Sequence, residues 1–175
     1  NRAPAAAPDS ATTAEDTPFN LSVLGNDFDP DADVITVTAV SQGNLGQITL
    51  NADNTLMYAP HADANGADDF QYTVSDGRLS AKGTVHVTIT PVNDAPAPAD
   101  DTAQTTVDTA RDIFALGNDV DVDGDALNLI ALDQPTHGQS AITFVDGQAA
   151  INYTPVAAYT GPDSFSYTLS DGVLS

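Results

Sequence analysis

The stretch Asp68-Asp69-Phe70-Gln71-Tyr72-Thr73-Val74-Ser75-Asp76-Gly77 decides how this chain is read. Phe70, Tyr72 and Val74 fall on alternate residues with polar neighbours between them, and Asp-Gly closes the run. That is the pattern of a half-buried strand ending in a turn. It returns as Asp163-Ser164-Phe165-Ser166-Tyr167 and Ser170-Asp171-Gly172, 95 positions later (Asp68 to Asp163).

Outward from this stretch the whole chain repeats. Asn1-Arg2-Ala3-Pro4 aligns with Asn93-Asp94-Ala95-Pro96, Asp16-Thr17 with Asp108-Thr109, and Gly46-Gln47 with Gly138-Gln139. A short insertion then shifts the offset, so that Tyr58 meets Tyr153. The sequence is a tandem of two modules, 1–92 and 93–175. In the first, alternating runs at 9–14, 17–24, 34–40, 46–51, 54–59, 69–75 and 80–91 are separated by Asp-Gly, Asn-Gly and Asp-Pro turn signals. No sustained helical stripe is present. The expected fold is all-β: two tandem immunoglobulin-like, cadherin-like Greek-key sandwiches without the Cys and Trp of antibody domains. Ser175 aligns with Ser80, so the second module lacks its final strand. The expectation is a longer array from which this piece is cut.

Composition narrows the chemistry. Of 25 acidic residues, Glu15 alone is glutamate, and against them stand Arg2, Arg78, Lys82 and Arg111, for a net charge of −21. Aspartate belongs in turns and oxygen-ligand loops rather than in helices. Such a charge repels nucleic acid and anionic lipid surfaces. There is no cysteine, hence no disulfide staple and no thiolate metal site. No apolar run is long enough to span a bilayer. The histidines are scattered, no nucleophile elbow accompanies the serines, and the acids sit in short loops without a cleft, so a non-enzymatic role is expected.

The densest feature is an aspartate ladder, Asp27, Asp29, Asp31 and Asp33 in one copy and Asp119, Asp121, Asp123 and Asp125 in the other. Four carboxylates so close repel by roughly 1 kcal/mol per near pair even in water. Asp119-x-Asp121-x-Asp123-Gly124 matches half of a Ca²⁺-wrapping loop. Ile130 stands where an EF-hand has its bidentate glutamate, and Ala32 replaces the glycine in the first copy, so further ligands must come from distant residues. Greek-key topology names them. At one end the ladder joins the incoming linker and the turn after strand 6, bringing Asp76 to the first ladder and Asp171 to the second. The other end of the first module gathers Glu15, Asp16, Asp68 and Asp69 with the exit linker Asn93-Asp94. The expectation is that these face the second ladder across the junction.

Ala14-Glu15-Asp16-Thr17-Pro18, the ladder, Ser75-Asp76-Gly77 and Val92-Asn93-Asp94-Ala95-Pro96 occur in that order and resemble the calcium-ligand series of cadherin repeats. More closely, the chain resembles the cadherin-like repeats of giant secreted bacterial proteins, including RTX-type adhesins. The resemblance implies display at the bacterial surface, Ca²⁺ between neighbouring repeats, and work as a spacer or adhesive unit toward surface glycan or protein. An accessory, ligand- or glycan-binding module of a secreted enzyme is the alternative. Arg2 stands where the second copy has Asp94, Val107 where the first has Glu15, and Ser164 where it has Asp69. The two ladders are therefore expected to differ, with the fullest ligand set at the middle junction.

Overall fold

The computed structural model describes residues 1–175, which divide into two compact units, Asn1–Val92 and Asn93–Ser175. The first is built from β1 (Asp9–Ala14), β2 (Phe19–Leu21), β3 (Thr36–Val40), β4 (Gly46–Leu50), β5 (Leu56–Pro60), β6 (Gly66–Ser75) and β7 (Ser80–Thr90). One sheet has the order β1-β7-β6-β3 and the other β2-β5-β4, so the module is a two-layer sandwich. The strand expected over 17–24 ends at Leu21. A 3₁₀ turn over Val23–Gly25 follows, which drives Val23 into the core as the chain bends toward the ladder.

β7 is the central strand. It runs parallel to β1, from Asp9 opposite Val85 to Ala14 opposite Thr90, and antiparallel to β6, from Gly66 opposite Ile89 to Ser75 opposite Ser80. Its alternation sets Val85, Val87 and Ile89 inward and His86 outward. The inward set packs with Val37, Ile48, Leu56, Tyr58, Phe70, Tyr72 and Val74 in one core. Each such aliphatic side chain contributes about 1.5–3 kcal/mol of burial. The aromatics of β5 and β6 thus face inward, with the Phe70 ring stacked 6.0 Å from that of Tyr58.

The second unit repeats this plan in part, with β8 (Arg111–Ile113), β9 (Asn128–Leu132), β10 (Gly138–Val145), β11 (Gln148–Pro155) and β12 (Tyr167–Ser170). They form the sheets β10-β11-β8 and β12-β9. Residues 101–106, the counterpart of β1, are not a strand, and β12 keeps only the last part of the β6 pattern. In the first unit the corresponding segments are the two partners of β7.

A buried acid fixes the β3–β4 connection. Asp68 lies on the inward phase of β6, where its carboxylate accepts the Tyr58 hydroxyl at 2.6 Å and the backbone N–H of Asn44 and Leu45 at 2.8 and 3.1 Å. Asp163 repeats this with Tyr153 at 2.9 Å and the N–H of His137 at 3.0 Å. Burial alone would raise the Asp68 pKa. The hydrogen bonds from Tyr58 and the backbone outweigh it and hold the group below its ordinary 3.8. A depressed folded-state pKa contributes stability above the unfolded value that is lost as pH falls through the folded one. Stability should therefore fall below about pH 4, as read by urea unfolding across pH. Tyr58→Phe should lower stability at pH 7 by about 1–3 kcal/mol and flatten that acid decline.

Candidate metal centre

The acidic loop is anchored by its first rung in the same way in both units. Asp27 accepts the backbone N–H of Ala7 at 2.8 Å and the Tyr72 hydroxyl at 2.9 Å. Asp119 accepts the N–H of Ala99 at 2.7 Å and the Tyr167 hydroxyl at 3.1 Å. Burial first, then hydrogen bonding to these carboxylates, pushes both phenols well above their ordinary pKa, so they remain donors. Tyr167 also donates to Asp101 at 3.1 Å. Paired backbone bonds between Ala5 and Phe28, and between Ala97 and Val120, close the incoming linker onto the loop.

The second rung shapes the loop. Asp29 Oδ1 accepts the N–H of Asp31 at 2.7 Å and of Asp33 at 3.4 Å. Asp121 Oδ1 accepts those of Asp123 and Asp125 at 3.0 and 3.1 Å. This is an aspartate side chain curling its own backbone into a turn. The chain then passes through the left-handed region, at φ +80° for Gly124 and +63° for Ala32. The alanine therefore bears strain of about 1 kcal/mol that the glycine does not. In both copies the other oxygen, Asp29 Oδ2 or Asp121 Oδ2, is buried and accepts no hydrogen bond. A buried carboxylate oxygen in that condition is costly, and a cation is the partner that best relieves it.

At the third rung the copies diverge. Arg2 grips Asp31, with Nε at 3.0 Å and Nη2 at 2.7 Å from Oδ1, while its backbone N–H donates to Oδ2 at 2.6 Å. In the second unit Asp123 Oδ2 accepts the backbone N–H of Asp94, at 2.8 Å. The turn after strand 6 completes each cluster. Asp76 accepts the Asn1 side-chain amide at 2.7 Å, and Asp171 accepts that of Asn93 at 2.7 Å. Both carboxyls lie below their ordinary pKa, Asp76 chiefly through the Leu79 N–H and Asp171 chiefly through Asn93. The fourth rungs, Asp33 and Asp125, are exposed.

At the opposite end of the first unit, Glu15 is 3% exposed and accepts the N–H of Val92 at 2.5 Å and the Asn65 amide at 3.4 Å. Asp16 accepts the N–H of Asp63 at 3.3 Å. Asp68 and Asp69 do not join them. Asp68 is spent in the core, and Asp69, one residue out of phase, faces outward beside His86 at 2.5 Å. Sequence reasoning missed Asp9 and Asp101, which flank the first rung, and the two tyrosines that hold it. The signal was there in the inward phase of Tyr72 and Tyr167. The donors at each ladder are oxygen only, a set suited to a hard cation such as Ca²⁺.

Fold and acidic ends together define a tandem β-sandwich module. Residues 1–90 and 93–174 each match the family described as Bacterial Ig domain, and the chain belongs to that family. A comparison with curated proteins finds no match. Among solved structures, the endo-fucoidan hydrolase MfFcnA4 from glycoside hydrolase family 107 is 26% identical, with a TM-score of 0.44 over 98% of this chain and 27% of that one. Protocadherin Gamma B7 extracellular cadherin domains 1–4 are 14% identical, with a TM-score of 0.47 over 95% of this chain and 48% of theirs. The chain thus spans between a quarter and a half of these proteins. No helix is long and apolar enough to cross a membrane.

The Arg2–Asp31 pair yields a prediction. Its side chains are 68% and 31% exposed, so solvent screens it. Arg2→Ala should cost the first unit less than about 1 kcal/mol in urea unfolding at physiological salt, and less again at 1 M salt.

Proposed function

We propose that this chain is a calcium-binding, calcium-stiffened repeat segment of a large secreted or surface-displayed bacterial adhesin, acting as a spacer or adhesive unit. The observation that carries the reading is the second rung. In both copies one oxygen of Asp29 or Asp121 bonds its own loop while the other is buried without a donor. A loop pre-curled around an unsatisfied carboxylate oxygen suits Ca²⁺ better than water or a basic side chain. In the second unit the residues that would hold the ion are Asp121, Asp123, Asp125 and Asp171, with Asn93 and Asp94 from the linker. Glu15 accepts the N–H of Val92, the last residue of the first unit.

The ion would supply charge neutralisation, cancelling repulsion among the clustered carboxylates. Where calcium exceeds its Kd a hundredfold, binding would stabilise the bound form by about 2.7 kcal/mol. A linker held from both sides would turn a hinge into a rod outside the cell, where calcium is abundant. The first ladder would bind more weakly, because the Arg2 guanidinium already neutralises Asp31. On this reading the modules are not catalytic. The accessory glycan-binding alternative would have to draw on exposed aromatics such as Phe28, Phe114 and Phe144, because Tyr58, Phe70 and Tyr72 are committed to the core.

Calcium titration calorimetry tests the assignment. Asp121→Ala and Asp94→Ala should weaken the tightest step at least tenfold, Asp29→Ala should leave it unchanged, and Arg2→Ala should strengthen the weaker step. An unchanged tightest step in Asp121→Ala would overturn the site. X-ray scattering should show a larger maximum dimension in calcium than in chelator, and equal dimensions would count against the rod.

A further inference from the structure

One strand at the rim of each unit pairs on a single side. β4 ends the sheet β2-β5-β4, and β10 ends the sheet β10-β11-β8, its counterpart in the internal repeat. Such an edge offers backbone N–H and C=O groups to any other chain, so folded proteins cover or blunt it. The C=O of Leu45 accepts the His61 N–H at 2.8 Å on the β5 side, and that of His137 accepts the Val156 N–H at 2.8 Å on the β11 side. In an antiparallel pair only every second residue bonds to its partner. Gly46, Ile48 and Leu50 of β4 therefore turn their backbone groups outward, as do Gly138, Ser140, Ile142 and Phe144 of β10.

In both units one side chain closes the edge. Gln42 Oε1 accepts the Ile48 N–H at 2.8 Å, and Gln42 Nε2 donates to the Ile48 C=O at 2.9 Å. Gln134 treats Ser140 in the same way, at 3.1 and 2.9 Å. A side-chain amide has the donor and acceptor of a peptide unit, so each glutamine stands where one residue of a further strand would stand. Both are exposed, and the bonds rather than burial account for their placement. What stays open is short: Gly46 and Leu50 on either side of Ile48, and Ile142 with Phe144 beyond Ser140. Without the glutamine each edge would open over Gly46–Leu50 or Ser140–Phe144, near the usual strand length of about 5–6 residues. Both runs are uncharged and free of proline, a composition prone to strand pairing. A chain of similar modules presents this edge repeatedly, the condition in which repeats misassemble.

We infer that Gln42 and Gln134 are edge guards. Each fills the open edge of its sheet with a side-chain amide and so keeps a second copy of the chain from adding its own edge strand. The pairing they block is antiparallel and symmetric. With the first edge unguarded, Ile48 would stand opposite Ile48 of the second copy, with Gly46 opposite Leu50. At the second edge Ile142 would stand opposite Ile142, with Ser140 opposite Phe144. In both registers the outward backbone groups of one copy meet those of the other. This inference rests on the fold and is independent of calcium.

The test uses the full 175-residue chain, unchanged and as the double variant Gln42→Ala, Gln134→Ala. Sedimentation velocity over a concentration series at physiological salt reads self-association, and urea unfolding checks that both chains are folded. The double variant should associate at least tenfold more tightly than the unchanged chain. Adding Thr49→Lys and Thr143→Lys, which set a charge on each edge strand, should reverse that gain at least tenfold. The reversal is expected although the lysines reduce the net charge of −21 that keeps copies apart. If the alanine chain fails to fold, Gln42→Glu with Gln134→Glu carries the same expectation, because a carboxylate keeps the acceptor for the N–H and loses the donor to the C=O. A folded double variant that associates no more than the unchanged chain would overturn the inference. So would association that the lysines leave intact, since it would run through another surface.

Discussion

A phenol hydroxyl donating to the first carboxylate of the acidic loop connects the core of each module to its charged end. Tyr72 reaches from the centre of β6 to Asp27, and Tyr167 from β12 to Asp119. The tyrosine could not be buried without an acceptor, and the carboxylate could not be held so close to the core without a donor. Each group therefore fixes the other. The loop begins from a set point on the sandwich and the incoming linker is zipped beside it, and in the first module the Tyr72 ring lies where a Cβ at Gly83 of the next strand would stand. Core packing and ladder geometry both depend on this one bond.

The two modules show how far a sheet depends on its neighbours. Their sequences share alternation, turn residues and core tyrosines, yet β1 has no counterpart strand in the second module and the β6 pattern pairs only from Tyr167 onward. β-propensity is a preference for a pleated, half-buried surface and has little force without a partner. Where β7 is present it satisfies the hydrogen bonds of two strands and buries three β-branched side chains. In the second module the equivalent segments, 101–106 and 161–166, lie outside any strand. The equivalent hydrogen bonds that do not involve β7, such as Tyr153 to Asp163 and Gln134 to Ser140, are kept.

Much of the acidic cluster's arrangement was legible because topology follows from strand count. The sequence predicted that the linker, the ladder and the turn after strand 6 meet, and Asn1 with Asp76 and Asn93 with Asp171 do so. It also predicted that the copies differ at Arg2, though not that the guanidinium would grip Asp31 itself. Asp68 and Asp69 were assigned by proximity to a chain end. Their phase decides otherwise: Asp68 shares the inward side with Phe70 and Tyr72, and Asp69 shares the outward side with Gln71. Read by period two alone, they separate.

The sequence by itself determined the repeat, the sandwich, the strand positions and the location of the acidic ends, because these follow from side-chain alternation and turn chemistry that each short segment carries. Only the tertiary structure decided which carboxylates are structural and which are available. That choice is made across strands, where one Tyr hydroxyl, a backbone N–H or a guanidinium arrives from residues dozens of positions away. Two aspartates with the same neighbours in sequence can then differ entirely in what they can bind.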